Sequence, residues 1–302
     1  MLPCIVGMDV GGTNIRLGAV TEDGRLIHEY KTSSGQIGGS QAGEKLLEIL
    51  KEYCAALENI EICAVSIGFP STMNRERTKV LSTPNIPGLD QAEFGVSYTE
   101  ALGIPVWGEK DSCMLMYCDM KVNRISTDGL SIGIYVGTGL GNVIMLNGEP
   151  LPGKNGVAGE LGHIPVIGRN ERCGCGLEGC LELYAGGRGL KEVLARHYPE
   201  EFIGDIFKNH VGEEPVEEYL KCLAQALCLE ITILDPDHIC LGGGVLNMEG
   251  FPTAHLLELI KKYTRHPLPS DDLDIIFSKQ DSVYNGVIGA GLYGWHRFNQ
   301  NN

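Results

Sequence analysis

The feature that most constrains the fold is a short glycine turn between two strands, which occurs twice in the chain. Residues 4–10 are apolar and predict a buried strand, Gly11-Gly12-Thr13 predicts a tight turn, and residues 15–20 predict a second strand. Residues 133–139 repeat this arrangement in kind, and residues 143–146 repeat its second strand. Such an internal duplication predicts an α/β protein with two related halves that face a cleft.

Both glycine turns favour phosphate binding, because their backbone N–H groups are not shielded by bulky side chains. In the first turn the Thr13 hydroxyl adds a donor, and Asp9 is placed to hold a hydrated Mg²⁺. A lone Gly-Gly-Thr turn is weak evidence, but its recurrence as Gly137-Thr138-Gly139 predicts two loops that grip one nucleotide. A third run, Gly242-Gly243-Gly244, follows an apolar strand and predicts close approach of the backbone to a flat ligand.

A second constraint is a set of four candidate metal ligands, His163, Cys173, Cys175 and Cys180. Cysteine is among the most buried residue types, so some of the 11 cysteines belong to the core. Three cysteines within eight residues, separated by glycine and preceded by histidine, are poorly explained in that way. Their type and spacing predict a structural zinc site. An accidental cluster, a redox site and a zinc ribbon that binds nucleic acid are the alternatives.

Two carboxylates accompany these ligands in the sequence. Glu160 lies one Leu-Gly step before His163, and Glu182 lies two residues after Cys180. A metal ion bound to the four ligands would therefore fix the two carboxylates relative to each other. This arrangement favours a site for a polyhydroxy ligand.

Composition limits the class of protein. The net charge of -15 argues against nucleic acid as a partner, because phosphate contacts need a basic surface. No basic segment precedes a long apolar run, and no stretch reaches the roughly 18 to 20 apolar residues of a membrane span. Cysteines outside the metal-ligand set show no paired framework, which fits a reducing compartment. We therefore expect a cytoplasmic protein of two domains that binds neither membranes nor nucleic acid.

Helices and further strands are predicted between the glycine turns. Apolar spacing predicts helices over about 41–58, 216–233 and 284–295, and strands over 62–68 and 273–277. Another helix begins near Asp111, after a strand that starts at Val106. Because Asp is a preferred N-cap residue, capping is the simplest role for Asp111 on its own.

Together these motifs resemble the ROK family of sugar kinases and related repressors. The likeness covers nearly the whole chain, in D-V-G-G-T-N-I-R at 9–16, G-F-P-S at 68–71, T-P-N-I-P-G at 83–88, G-T-G-L-G at 137–141, E-L-G-H at 160–163, C-G-C-G-L-E-G-C-L-E at 173–182 and L-G-G-G at 241–244. The glycine loops alone are nonspecific, whereas the E-x-G-H and C-x-C-G-x-x-G-C pair is specific to the family.

The resemblance implies a duplicated, actin-like ATPase (ribonuclease H-like) α/β fold with two lobes around a central cleft. The small N-terminal lobe is expected to comprise 1–112 and 289–302, and the larger lobe, with the zinc motif, 113–288. The resemblance also implies ATP with Mg²⁺, structural Zn²⁺, a hexose substrate and a homodimer.

The family pattern gives each matching residue a role. Asp111 corresponds to the general base that takes the proton from the sugar hydroxyl as it attacks the γ-phosphate of ATP. The sugar-binding positions correspond to Gly68, Asn85, Lys110, Asp111, Glu160, His163 and Glu182. The nucleotide and magnesium positions correspond to Asp9, Gly11, Gly12, Thr13, Gly137, Thr138, Gly139, Gly242, Gly243 and Gly244. His163 doubles as a zinc ligand with Cys173, Cys175 and Cys180.

Lys110 departs from the family pattern. Glucokinases of the family usually have Asn before the catalytic Asp, so a cation that only donates hydrogen bonds replaces an amide, which disfavours glucose. Over the whole chain the likeness is to D-allose kinases of the family, and the expected reaction phosphorylates the 6-hydroxyl of D-allose. Kinases for glucose, fructose, mannose or N-acetylated amino sugars are alternatives.

Two other classes of function are also considered. A family repressor is expected to carry a helix-turn-helix domain before the kinase-like part, whereas here the phosphate-loop strand begins at Cys4. A non-enzymatic sugar sensor is the remaining form of this class. The sugar-site motifs argue against an actin-like or chaperone-like ATPase that uses the nucleotide only to change conformation.

Overall fold

The structure is a computed structural model that describes residues 1–83, 86–279 and 282–301. The chain divides into two compact units. The first unit comprises Met1–Ile125, Pro152–Ala158 and Asp281–Asn302, and the second comprises Ser126–Leu151 and Gly159–Gln280. The lobe boundaries expected from the sequence stay a prediction.

The secondary structure alternates strands with helices along the chain. The strands are β1 (Leu2–Val10), β2 (Asn14–Val20), β3 (Leu26–Ser33), β4 (Ile60–Phe69), β5 (Thr72–Met73), β6 (Val80–Ser82), β7 (Val106–Lys110), β8 (Leu130–Val136), β9 (Leu140–Leu146), β10 (Glu149–Pro150), β11 (His238–Gly242) and β12 (Ile275–Phe277). The α-helices are α1 (Ala42–Ala55), α2 (Gly95–Leu102), α3 (Asp111–Asn123), α4 (Glu182–Ala185), α5 (Gly187–His197), α6 (Ile206–Asn209), α7 (Glu214–Leu234), α8 (Thr253–Tyr263) and α9 (Asn285–Asn301).

The first unit is built on a five-stranded sheet in the order β3-β2-β1-β4-β7. β1 pairs antiparallel with β2 and parallel with β4, and β4 pairs parallel with β7. The central β1 is buried over residues 4–8, as its continuous apolar run predicts. Helix α1 turns Ala42, Leu46 and Leu50 into the core, because residues four apart share one helix face.

Helix α9 closes the first unit against β1 and α3. A Cβ atom on Gly289 would overlap the carbonyl oxygen of Met114, and one on Gly291 would overlap the side chain of Val20. The Trp295 indole donates a 2.9 Å hydrogen bond to the carbonyl of Val20. The glycines of this helix therefore permit close packing against α3 and the sheet.

The second unit repeats the sheet of the first. Its strand order is β10-β9-β8-β11-β12, in which β8 pairs antiparallel with β9 and parallel with β11. β10 and β12 complete the edges, antiparallel and parallel respectively. Helix α7 buries Val216, Leu220 and Leu223 against this sheet. The duplication predicted from the two glycine turns is therefore present as two α/β sheets of one topology.

Several elements differ from the expectation or were not expected. Helix α9 continues to Asn301, beyond the predicted end at 295, and β12 begins two residues later than predicted. Strand β3 was not predicted, because its exposed and half-exposed residues show no apolar alternation. Among residues 1–83, 86–279 and 282–301, no helix is long and apolar enough to cross a membrane.

Candidate active site

Asp111 lies where strand β7 passes into helix α3. It is the first helical residue, and the preceding Lys110 takes the N-cap position, so the simple capping role does not describe it. One oxygen of its half-buried carboxylate accepts a 2.7 Å hydrogen bond from the Ser112 N–H. Gly68, near the end of the adjacent β4, lies beside this junction, and a Cβ atom there would come within 3.7 Å of the Asp111 Cα.

Lys110 is buried, and its ammonium donates a 3.1 Å hydrogen bond to the carbonyl of Ala158. The preceding residue, Glu109, is buried as well and forms an ion pair with Arg77, in which Arg77 Nε lies 2.7 Å from a Glu109 carboxylate oxygen. The sequence analysis identified neither Arg77 nor Glu109. Only their places in the chain, one in a hairpin turn and one before Lys110-Asp111, could have suggested them.

The first glycine turn joins β1 to β2 as predicted, and Gly12 and Thr13 are exposed in it. Asp9 stands opposite Arg16 in the β1–β2 register, with 3.6 Å between its carboxylate and the guanidinium. Burial raises the pKa of Asp9 to about 6, and the charge of Arg16 only partly opposes this shift. A cation at the carboxylate would favour its ionised form, so Asp9 suits the magnesium role.

The second glycine turn joins β8 to β9 and packs on the start of helix α5. The Gly137 carbonyl accepts a hydrogen bond from the Gly187 N–H at 2.8 Å, and the Thr138 carbonyl accepts one from the Arg188 N–H at 3.0 Å. A Cβ atom on Gly139 would overlap the carboxylate of Glu182. Glu182 therefore lies directly against the predicted phosphate loop.

The third glycine run packs beside the second turn, because β8 and β11 are parallel neighbours whose carboxyl ends meet at one edge of the sheet. Gly243 has a φ of 103°, a conformation that favours glycine, and a Cβ atom there would overlap the backbone of Val136. The Val245 N–H donates a 3.0 Å hydrogen bond to the Val136 carbonyl. The second unit thus brings two of the three predicted nucleotide loops together.

The four predicted metal ligands converge. Ligand atoms of His163, Cys173, Cys175 and Cys180 all lie within 4.8 Å of one another. The Cys175 and Cys180 sulfurs are 3.6 Å apart, and the Cys173 sulfur lies 3.7 Å from His163 Nδ1. Two atoms bound at about 2.3 Å to a tetrahedral ion lie about 3.7 Å apart, so these separations fit zinc.

Both carboxylates of the motif lie next to the cluster. The Cys173 thiol lies 3.3 Å from a Glu182 oxygen, and His163 Nε2 lies 3.9 Å from a Glu160 oxygen. The histidine therefore turns Nδ1 toward the cysteines and its other nitrogen toward a carboxylate, an orientation common for metal-binding histidine. Burial, together with hydrogen bonds to the neighbouring thiols, raises the pKa of Cys180 to about 12, and a bound cation would reverse this effect.

Arg188 is a further residue that the sequence analysis missed. Its guanidinium lies 3.6 Å from a Glu182 oxygen. The only sequence signal is its place after the Gly186-Gly187 pair, which gives no reason to select it. Asn85, which the sequence analysis placed in the sugar site, lies outside the described residues.

Comparisons with known proteins agree with the sheet topology and the motifs. The ROK family model matches residues 5–293. An N-acetyl-D-glucosamine kinase from Salmonella paratyphi C is 30% identical over 303 residues, which cover 95% of this chain and 97% of that protein.

Solved structures share the fold. A ROK hexokinase from Thermus thermophilus is 26% identical with a TM-score of 0.77, over 98% of this chain and 99% of that one. A ROK family glucokinase from Streptomyces griseus, in complex with glucose and AMPPNP, is 24% identical with a TM-score of 0.77, over 95% of this chain and 98% of that one. The predicted actin-like ATPase fold is thereby confirmed. Because the family model spans almost the whole sequence and a relative is 30% identical over nearly its full length, the chain belongs to the ROK family.

Proposed function

We propose that the chain is an ATP-dependent hexose kinase that phosphorylates the 6-hydroxyl of D-allose, with Asp111 as the general base. The observation that carries the proposal is the position of Glu182. Its carboxylate packs against Gly139 of a predicted phosphate loop and also lies 3.3 Å from the sulfur of Cys173 in the metal cluster. A carboxylate suited to sugar hydroxyls therefore lies next to a loop suited to phosphate.

The reaction needs positioning more than covalent help from the protein. Phosphoryl transfer passes through a loose transition state whose charge lies on the equatorial oxygens, so donors that hold the phosphates supply most of the stabilisation. The exposed residues of the three glycine loops, Gly12, Thr13, Thr138 and Gly244, would provide such donors. Asp9 would hold hydrated Mg²⁺, which supplies charge neutralisation at the phosphates when bound.

The position of Asp111 and the surroundings of its carboxylate support its assignment as the general base. A general base must come within hydrogen-bond reach of the hydroxyl whose proton it takes. At the first position of α3 the carboxylate remains half exposed, and the Ser112 N–H fixes one of its oxygens. The other oxygen is the atom we assign to proton transfer.

The sugar ligands follow from the family pattern. We assign Glu160, His163 and Glu182 to sugar hydroxyls, with Gly68 and Asn85 as further contacts. His163, Cys173, Cys175 and Cys180 would hold structural zinc, which keeps the segment from Glu160 to Glu182 in one conformation. A homodimer belongs to the same proposal, and sedimentation equilibrium would test it.

N-acetyl-D-glucosamine is the second candidate substrate, because the relative with 30% identity is a kinase for that sugar. Lys110 is the reason to prefer D-allose. It occupies the position before the base where family glucokinases usually have Asn, and its ammonium already donates to the Ala158 carbonyl. A site without that amide is expected to accept a sugar with a different hydroxyl orientation.

The direct test is ADP release from MgATP with D-allose, D-glucose, D-mannose, D-fructose, N-acetyl-D-glucosamine and N-acetyl-D-mannosamine. We expect the highest kcat/KM on D-allose. Asp111→Asn should reduce kcat by about 10² to 10⁴, because it removes the base while preserving shape. Asp128→Asn, in an exposed turn, is the control and should not change kcat.

The outcomes separate the classes of function. Highest turnover on another sugar would keep the kinase and replace the substrate. Sugar binding in calorimetry without turnover would instead indicate a sensor. Full activity of Asp111→Asn would remove Asp111 from the mechanism.

A further inference from the structure

A buried polar network lies next to Asp111 and is not explained by the roles assigned above. The side chains of Arg77 and Glu109 are only 10% and 4% exposed, and they form an ion pair of 2.7 Å. The second Glu109 oxygen accepts a 2.9 Å hydrogen bond from the Lys110 N–H. Burying two charges carries a large desolvation penalty, so an ion pair in such a place is weak evidence for stability alone.

Arg77 reaches beyond Glu109. Its Nη1 donates hydrogen bonds to the carbonyl of Asn74 at 3.1 Å and to that of Gly156 at 2.8 Å. Lys110 adds a parallel contact, since its ammonium donates to the Ala158 carbonyl at 3.1 Å. Two cations next to the β7–α3 junction therefore hold two carbonyls of Pro152–Ala158.

The backbone around Arg77 supports a specific role for its side chain. Arg77 lies in the turn between β5 and β6 with a φ of 57°, a left-handed conformation that glycine or asparagine normally takes. Such a conformation at a non-glycine residue is found where the surroundings require it, often near functional sites. A Cβ atom on Gly156 would lie 2.8 Å from the Asn74 backbone, so the held segment presses against this turn.

We propose that Arg77 and Glu109, assisted by Lys110, are positioning residues that fix the segment Pro152–Ala158 against the end of β7, directly before Asp111. Glu160 follows Ala158 by two residues, so the chain keeps it within about 7 Å of the held carbonyl. The network thereby fixes the end of the segment from which the chain continues to Glu160, the proposed sugar ligand. The expected effect on sugar kinetics rests on the proposed kinase function. The hold of Arg77, Glu109 and Lys110 on Pro152–Ala158, here called the clamp, can be tested without that function.

The experiment compares Arg77→Gln and Glu109→Gln with the matched control Lys79→Gln. Lys79 follows the same turn and pairs with Glu93 at 3.7 Å, but that partner side chain is 76% exposed. We expect both network variants to raise the KM for the sugar at least about tenfold and to leave the KM for MgATP within about twofold. Lys79→Gln should change neither constant.

Hydrogen exchange gives a readout that does not depend on turnover. In Arg77→Gln, amides of residues 153–163 should exchange at least about tenfold faster, whereas Lys79→Gln should match the wild type. Unchanged exchange in a folded Arg77→Gln variant would overturn the inference. If the wild type shows no sugar-dependent turnover, the kinase proposal fails, and exchange still decides on the clamp.

A double variant separates positioning from stability. If either single variant does not fold, Arg77→Gln with Glu109→Gln removes both buried charges and avoids an unpaired one. A positioning role predicts that the double variant folds but keeps the raised KM for the sugar and the faster exchange. Restoration of both to wild-type values would show a structural pair only and would contradict the proposal.

Discussion

Asp9, the proposed magnesium ligand, has a buried carboxyl group that weakens the fold where it is ionised. Burial raises the pKa of its carboxyl group to about 6 in the folded chain, against an ordinary value of 3.8. A folded-state pKa that is raised means that the native chain keeps its proton where the unfolded chain has lost it. The contribution of Asp9 to the free energy of unfolding is therefore greatest below about pH 4, falls as the pH rises to about 6, and is constant above that.

We predict that Asp9→Asn stabilises the magnesium-free protein at pH 8. A shift of two pKa units corresponds to a gain of at most about 3 kcal/mol in unfolding free energy. The loss of the ion pair between Arg16 and Asp9 reduces this gain. Urea unfolding at pH 8 and at pH 4 measures this, and the gain should vanish at pH 4. ATP turnover should fall by about 100-fold or more, since the proposed magnesium ligand is lost.

Asp23→Asn is the control, because the hydrogen bond from Thr21 lowers the pKa of that carboxyl group instead of raising it. The contribution of the Asp23 carboxylate to stability should therefore have the opposite pH dependence, because it is present at neutral pH and lost as the pH falls. Equal stability of Asp9→Asn and wild type at pH 8 would contradict the shift at Asp9.

Lys110 and Asp111 show the limit of residue-scale prediction. The sequence singled out Asp111 correctly as a helix-initial residue but gave capping as its simplest role, whereas Lys110 takes the N-cap position. The partner of Lys110, the Ala158 carbonyl, lies 48 residues away. Local sequence carries no signal for a contact at that separation, and the same holds for Arg77 with Glu109.

At the scale of elements, the segment from Glu160 to Glu182 has little regular structure of its own. A short 3-10 turn at Leu161–His163 and the isolated bridge between Pro165 and Cys180 hold it. A loop this long normally needs an external constraint, and the His-Cys cluster provides the ligands for one. The proposed zinc ion would hold this segment in place of the strand pairing that it lacks.

We predict that the purified protein contains about one zinc ion per chain and that Cys175→Ser loses it. Cys175 is the exposed member of the cluster, so its substitution leaves no cavity in the core. The KM for the sugar should rise at least about tenfold, because Glu160 and Glu182 lose their common support. Metal analysis and sugar titration measure the two effects.

Cys222→Ser is the matched control, since Cys222 is half-buried and lies outside the cluster. It should keep both zinc content and KM. A zinc-free Cys175→Ser variant with wild-type KM would show that the cluster does not support the sugar ligands.

For the whole molecule, the duplicated sheet was the most predictable property. The two glycine turns predicted two hairpins. These are the β1–β2 and β8–β9 pairs, and the two sheets that contain them have the same strand order. Family membership follows from motifs distributed over nearly the full length, which is why the family prediction is confirmed. The preferred sugar is decided by the directions of a few hydroxyl groups and stays a prediction.

The charge of the whole chain also has a consequence for stability. The chain has a net charge of -15, so its acidic side chains repel one another in the compact state, and salt screens this repulsion. We predict that raising NaCl from 0.05 to 0.5 M increases the unfolding free energy by about 1 kcal/mol, which corresponds to about 1 to 2 °C in the thermal midpoint of a chain of 302 residues. Thermal scans measure it, with an uncharged osmolyte at equal osmolality as the control. A midpoint that does not rise with salt would contradict the repulsion.

The sequence by itself determined the elements whose signals are local: the buried strand β1, the amphipathic helices α1 and α7, the glycine turns and the Cys-His spacing. These depend on periodicity and backbone conformation, which neighbouring residues specify. Strand β3 escaped prediction because an exposed edge strand shows no such periodicity.

Only the tertiary structure decided which groups meet. It packed Glu182 against Gly139, turned His163 between Cys173 and Glu160, and buried Arg77 on Glu109. The contacts of Glu182 with Gly139 and of Arg77 with Glu109 join residues far apart in the chain, and only the path of the folded chain brings them together. The residue types set the chemistry of the site, while packing and desolvation set which of them act together.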